Sequence, residues 1–239
     1  MVTPEIQVVA DPPSVAMAAA QRVAVSVDSA IEMRGSFSIV LSGGNTPKML
    51  YALLAAEPFR SSIDWTKVHV FFGDERCVPP DDAESNYRMA RESILSKVPV
   101  PGDNVYRIRG EIDPSEAARE YGQSLTEYFA DGGPDVALLG MGDDGHTASL
   151  FPHTPAIKEV KHRCVANFVP RLNQWRVTMT APFLNRSQEV LILVTGAAKS
   201  ARVAQVLEGP SMPDELPIQR ISPASGHLSW IIDAAAAGM

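Results

Sequence analysis

The sequence predicts an α/β protein: a doubly wound, mostly parallel sheet with helices on both faces and a small antiparallel addition. Three observations predict it. Apolar runs of strand length alternate with helix-length segments nearly throughout. Several runs, such as 37–41 and 190–194, are apolar or small at every position, as in strands covered on both faces. Four runs end in polar turns that carry glycine, at 42–47, 73–76, 140–146 and 195–199. Parallel strands put their C-terminal ends on one side of a sheet, where such folds bind ligands.

The elements follow in order. Residues 6–10 are a first strand. Asp11-Pro-Pro-Ser14 follows, with Ser14 as N-cap of an alanine-rich helix over 15–33 that Gly35 closes. Strand 37–41 leads through Ser-Gly-Gly-Asn-Thr-Pro (42–47) into a helix over 47–56. Strand 68–72 leads into Gly-Asp-Glu-Arg (73–76), and 83–95 has a helical pattern. Asp113 and Glu116 form a capping box for a helix to about 129. Strand 135–139 runs into Gly-Met-Gly-Asp-Asp-Gly-His (140–146) and then a short helix-like piece that stops at Pro152. Segments 163–169 and 175–180 are strands, antiparallel additions at a sheet edge. Strand 190–194, a helix over 200–207 and a C-terminal helix over 228–237 complete the chain. No repeat, low-complexity tract or linker divides it, so residues 1–239 make one domain.

Composition narrows the function. Apolar residues are 45% and charged residues 21%, which excludes a disordered chain. The net charge of −7 argues against nucleic acid or an anionic membrane as the main partner. No apolar run reaches the roughly 18 residues of a membrane helix, and the N-terminus lacks a secretory pattern. Cys77 and Cys164 have no metal or redox spacing, so two reduced thiols in a cytoplasmic protein are expected. No cofactor is implied. The sequence does not set an oligomeric state, and a monomer suffices.

The four turns carry the candidate chemistry. At 42–47, Gly43 and Gly44 let the backbone approach a ligand, Thr46 suits a cap and Pro47 the first helical turn. Free N–H groups there favour an anion such as phosphate; the alternative is a capped turn without a ligand. At 73–76, Arg76 suits a phosphate or carboxylate and Asp74 or Glu75 orients it; the alternative is a surface ion-pair cluster.

The third turn has the spacing GxGxxG, but it is not a dinucleotide fingerprint. Asp143 and Asp144 repel a pyrophosphate, Pro152 stops the following segment, and no acid lies about 20 residues on. What remains is Asp144-Gly-His146, a histidine in a polar turn beside a carboxylate that can fix its tautomer. Metal binding is disfavoured, because no second histidine stands at ligand spacing. In the fourth turn, Lys199 sits at a helix start, where a bound anion offsets its unfavourable position; a solvated lysine is the alternative. Arg176 is a further cation on an otherwise apolar strand, a position that also suits mere coverage of a sheet edge.

Together, SGGNTP, GDERCVPPDDAESNYRMA, LLGMGDDGHTASLFP, RVTMT and GAAK resemble the 6-phosphogluconolactonase family, in order, from residue 41 to 199. The resemblance implies the fold shared with glucosamine-6-phosphate deaminase and ribose-5-phosphate isomerase. It implies hydrolysis of 6-phospho-D-glucono-1,5-lactone, a small phosphosugar, with His146 as base and Asp144 orienting it. Substrate and phosphate then fall to Ser42, Gly43, Gly44, Asn45, Thr46, Asp74, Arg76, Arg176 and Lys199. The deaminase pattern differs: it carries a glutamate after its histidine, where this chain has Thr-Ala-Ser (147–149). A sugar-phosphate sensor domain is the non-enzymatic alternative, expected beside a DNA-binding module; this chain opens on a strand instead.

Overall fold

Most strands form where apolar and β-branched residues predominate. In the computed structural model, which describes residues 4–239, these are β1 (Glu5–Val9), β2 (Phe37–Leu41), β3 (Val68–Phe72), β4 (Asp74–Arg76), β5 (Val136–Gly140), β6 (Cys164–Val169), β7 (Gln174–Met179), β8 (Glu189–Val194) and β9 (His227–Asp233). The helices are α1 (Pro12–Arg34), α2 (Asn45–Leu54), α3 (Phe59–Ser62), α4 (Asn86–Ala90), α5 (Pro114–Phe129), α6 (Ala181–Leu184) and α7 (Ser200–Leu207). Six strands make one sheet in the order β1-β9-β8-β5-β2-β3, parallel at every pairing.

The strand period of two decides which helix meets which face. Phe37, Ile39, Leu41, Val68 and Val70 lie with Val23 and Val27 of α1 and Leu54 of α2. Phe71 takes the other parity and packs on Tyr106, Tyr128 and Phe129, so α5 covers the opposite face. That is the predicted doubly wound layering.

The antiparallel addition is a second sheet of its own, in the order β4-β7-β6. Gly73 joins the two sheets. Its N–H donates to the Leu41 carbonyl in the parallel sheet (2.9 Å), and its own carbonyl accepts from the N–H of Met179, the last residue of β7 (2.8 Å). One residue after β3, the chain has therefore changed sheets. The expectation of a turn at 73–76 was incomplete, because three polar residues there are too few to show a strand period.

Other expectations need correction. The C-terminal segment is strand β9, set between β1 and β8, and not a helix over 228–237. Residues 228–233 are buried, with Trp230, Ile231 and Ile232 filling both faces. The alanines at 234–237 have high helix propensity, but Asp233 accepts from Ala236 N–H and turns the chain instead. Residues 147–151 form a turn with a Thr147–Leu150 bridge, not a helical piece; Ala148 has φ 46°, outside helical space. Helix α1 starts at Pro12 and is capped by Asp11, whose carboxylate accepts from Ser14 N–H, so Ser14 is the recipient and not the cap. The pattern at 83–95 divides into α4 and a wider turn over Arg91–Leu95, with Ser85 as the cap. Asp113 caps α5 as expected, accepting from Ser115 and Glu116 N–H.

Candidate active site

In the parallel sheet the chain runs outward one way from β2 to β3, and the other way from β5 through β8 to β9. The order reverses between β2 and β5, so their C-terminal ends leave a crevice that neither crossover covers. A cleft of about 220 Å³ lies there, lined by residues 42–44, Asp74, Arg76, Asn86, residues 140–142 and residues 146–148. Three of the four turns meet on it. The fourth joins them from beside: Thr195 and Thr46 share a hydroxyl hydrogen bond of 2.9 Å.

β5 delivers His146 through a turn that fits around the imidazole. Gly142 N–H donates to the His146 carbonyl (2.8 Å) and closes the turn. The ring then lies against Gly142 so closely that a Cβ there would stand 2.0 Å from Nδ1. The ring also stacks on Phe151, with centroids 4.0 Å apart and planes at 25°. Nδ1 is 2.5 Å from Asp144 Oδ1, which also accepts the His146 backbone N–H at 3.2 Å. An ionised carboxylate only accepts, so Nδ1 carries the proton and Nε2 keeps its lone pair. Burial works against ionisation of Asp144. The hydrogen bond from the His146 ring, the charge of that ring when it is protonated, the His146 backbone N–H and the charge of Arg171 together outweigh it and hold the carboxyl at about 2. Asp144 therefore stays charged across the neutral range.

The 42–47 turn is rigid by a different device. The buried Tyr51 hydroxyl accepts from Ser42 N–H (2.9 Å) and donates to the Ser42 carbonyl (2.8 Å). The Ser42 hydroxyl is buried beside the cleft without a partner. α2 begins at Asn45 with Gly44 as N-cap and no side-chain cap, so the helix N-terminus keeps free N–H groups. Thr46, expected as a cap, bonds Thr195 instead, and Asn45 is exposed. Gly43 is required by close approach: a Cβ would meet Asn86 Oδ1 at 2.1 Å.

β4 supplies the acids and a cation. Asp74 is buried, with Oδ2 accepting from Ser149 (2.5 Å) and Oδ1 from Asn86 (3.1 Å), so it ties together two walls of the cleft. Glu75 turns away from the cleft and accepts the backbone N–H groups of Arg76, Asn86 and Tyr87, each at 2.8 Å, and the Ser85 hydroxyl. Burial pushes its carboxyl up, and those bonds work against the rise. Glu75→Ala leaves these buried donors orphaned. We expect a loss of about 2–4 kcal/mol in stability, read by urea denaturation; an unchanged midpoint would refute this anchoring role.

Arg76 and Arg176 face each other as cross-strand partners on β4 and β7. Arg76 lines the cleft, gives one N–H to the Glu84 carbonyl (2.6 Å), and buries Nε without a partner. Arg176 is only 8% exposed and opens into a neighbouring cavity of about 480 Å³ rather than the cleft itself. Burial first, and then the charge of Arg76, push its guanidinium below the ordinary value. Among the described residues neither arginine has a carboxylate within ion-pair distance. An anion beside Arg76 would offset the repulsion between them. Lys199 ends a short 3-10 turn (Ala197–Lys199) ahead of α7 and pairs with Asp143 outside the cleft lining.

Sequence reasoning passed over Asn86, Phe151 and Arg171. Asn86 lies inside a quoted motif but has no chemical signature until Gly43 is folded against it. Arg171 comes from the 3-10 turn Pro170–Leu172 between β6 and β7, and only the fold brings it to Asp144, at 2.9 Å. Among the described residues no group of three His, Cys, Asp or Glu side chains is placed to hold a metal ion.

A family model described as glucosamine-6-phosphate isomerases/6-phosphogluconolactonase matches residues 10–230, a span that includes all four turns. A 6-phosphogluconolactonase of Nostoc sp. is 42% identical over 217 residues, covering 88% of this chain and 87% of that protein. One from Haemophilus influenzae is 35% identical over 198 residues, covering 83% of this chain and 85% of its own length. Among solved structures, the 6-phosphogluconolactonase from Trypanosoma cruzi is similar at TM-score 0.87 and 28% identity, covering 100% of this chain and 97% of that one. A monomeric glucosamine-6-phosphate deaminase reaches TM-score 0.84 at 20% identity over 98% of this chain and 99% of its own, a likeness of fold alone.

Proposed function

Because the chain belongs to the glucosamine-6-phosphate isomerase/6-phosphogluconolactonase family, we propose that it hydrolyses 6-phospho-D-glucono-1,5-lactone to 6-phosphogluconate, in the oxidative pentose phosphate pathway, with His146 as the base. The observation that carries the base assignment is the Asp144–His146 pair, with Nε2 free, on the lining of the cleft. A lactone is an activated ester, so a positioned water and a base suffice. Nε2 takes a proton from water as its oxygen bonds to the lactone carbonyl carbon. Asp144 holds the imidazolium that results. Backbone N–H groups or a cation stabilise the tetrahedral oxyanion. The bond from that carbon to the ring oxygen then breaks, and Nε2–H returns its proton to the departing oxygen. The new carboxylic acid ionises in water.

The phosphate sits on the 42–46 turn against the N-terminus of α2, with Arg76 beside it and Arg176 and Lys199 near at hand. Asp74 holds the wall between them. The substrate is a small phosphosugar, and a cytoplasmic location fits it; among the described residues no helix is long and apolar enough to cross a membrane.

Two measurements test this. Freshly generated lactone should be opened far faster than its spontaneous background, while glucosamine 6-phosphate should release no ammonia; the reverse result would overturn the assignment. Arg76→Met should raise KM for the phosphorylated lactone by roughly 10- to 100-fold, the worth of one charged hydrogen-bond pair. Turnover of unphosphorylated glucono-1,5-lactone should hardly change. Equal losses on both lactones would take Arg76 away from the phosphate.

A further inference from the structure

We propose that Arg171 is a positioning residue that makes the Asp144–His146 pair a three-member chain, holding the carboxylate from the side the imidazole does not use. This rests on His146 being the base.

Asp144 divides its two oxygens. Oδ1 serves His146 through both the ring and the backbone N–H. Oδ2 is sealed from solvent and, among the described residues, accepts no hydrogen bond; what meets it is the charge of Arg171, an ion pair with Nη1 at 2.9 Å. A carboxylate oxygen buried in this way is costly unless a cation or donor meets it. Arg171 also grips the other member of the pair. Its guanidinium lies over the Phe151 ring, 5.0 Å from the centroid, and Phe151 stacks on His146. One side chain from the β6–β7 connection thus fixes Asp144 by charge and the imidazole through an aromatic spacer. None of the motifs in the sequence contains it.

Loss of Arg171 has two separable consequences. Geometrically, Asp144 gains freedom to rotate and the imidazole loses its fixed aim. Electrostatically, the carboxylate charge that was shared with Arg171 falls on the imidazole alone and favours its protonated form. The other charged groups around the pair stay in place. Asp143 is engaged by Lys199 through its carboxylate and by Arg202 through its carbonyl, while Asp74 and Arg76 lie across the cleft.

The test compares the pH profiles of the intact enzyme and its Arg171→Ala and Arg171→Lys variants on freshly made lactone. Arg171→Ala should lower kcat by roughly 5- to 50-fold with KM little changed, and move the acid limb of kcat/KM up by roughly half to one pH unit. Arg171→Lys should restore the limb, because it restores the charge, but only part of kcat, because an ammonium lacks the guanidinium plane that lies over Phe151. In an Asp144→Asn background, Arg171→Ala should add almost nothing, since the two act as a unit. Arg171→Ala leaves the buried Oδ2 without its cation and should lower Tm by a few degrees, whereas Arg171→Lys should melt close to the parent. A rise in KM with the limb unmoved would make Arg171 a substrate contact and overturn the proposal. So would wild-type kinetics of Arg171→Ala, and if His146→Ala is inactive, the base assignment survives that failure. Full turnover by His146→Ala would remove both.

Discussion

His146→Ala is expected to lower the catalysed rate of lactone opening by about 10²- to 10⁴-fold, the usual worth of a positioned general base. The loss should fall on kcat, because nothing that grips the phosphate has changed. Stability should change little. The imidazole is partly exposed and anchors no strand, and Phe151 and Asp144 both keep Arg171 when it is removed. Asp144→Asn makes a useful companion. An amide keeps the volume but can present N–H to Nδ1, which favours the wrong tautomer and spoils Nε2 as acceptor. The measurement is initial rate on lactone made in the cuvette, with spontaneous opening subtracted at every pH. Wild-type kcat in His146→Ala would exclude the base role.

Gly142→Ala should cost nearly as much without replacing a titratable group. The added methyl would lie 2.0 Å from Nδ1 and 2.1 Å from Cε1, far inside contact distance. Retreat of the ring would disturb its stack on Phe151. Either the imidazole swings away and loses Asp144, or the 142–146 turn opens and loses the Gly142–His146 backbone bond. A misplacement of about 1 Å in a catalytic group can cost about 10²-fold, so kcat should fall by at least that much. Overpacking of this kind costs roughly 1–3 kcal/mol, which for a chain of this length lowers Tm by several degrees. A crystal structure of the variant would show which route was taken. Unaltered kcat in Gly142→Ala would mean that the close packing of ring on glycine has no part in catalysis.

The two variants show what sequence can and cannot reveal. The contact between Asp144 and His146 on the cleft was legible because a histidine two residues from a carboxylate, in a turn after a buried strand, is a short-range pattern. The parallel sheet was legible because strands covered on both faces are apolar without a break. β9 was misjudged because alanine propensity is local, whereas the demand to fill both faces between β1 and β8 comes from the whole sheet. β4 was missed because Asp74-Glu75-Arg76 owes its strand geometry to a partner about a hundred residues away. Glu75 had no assignment until its carboxylate was found on the backbone of Asn86 and Tyr87. The same holds for Gly43 against Asn86 and for Arg171 on Asp144. Each is a contact between distant segments, and neither residue type nor spacing encodes it.

Gly73 has a further consequence. It hydrogen-bonds to both sheets, and it is the one residue between the strand that ends below the crevice and the strand that carries Arg76. The wall bearing the cation is thus bolted to the floor that bears the 42–47 turn. Asp74 braces that wall against Ser149, just beyond His146. The crevice is built as a caliper with tied jaws, and under the proposed binding its width gauges the span from phosphate to carbonyl.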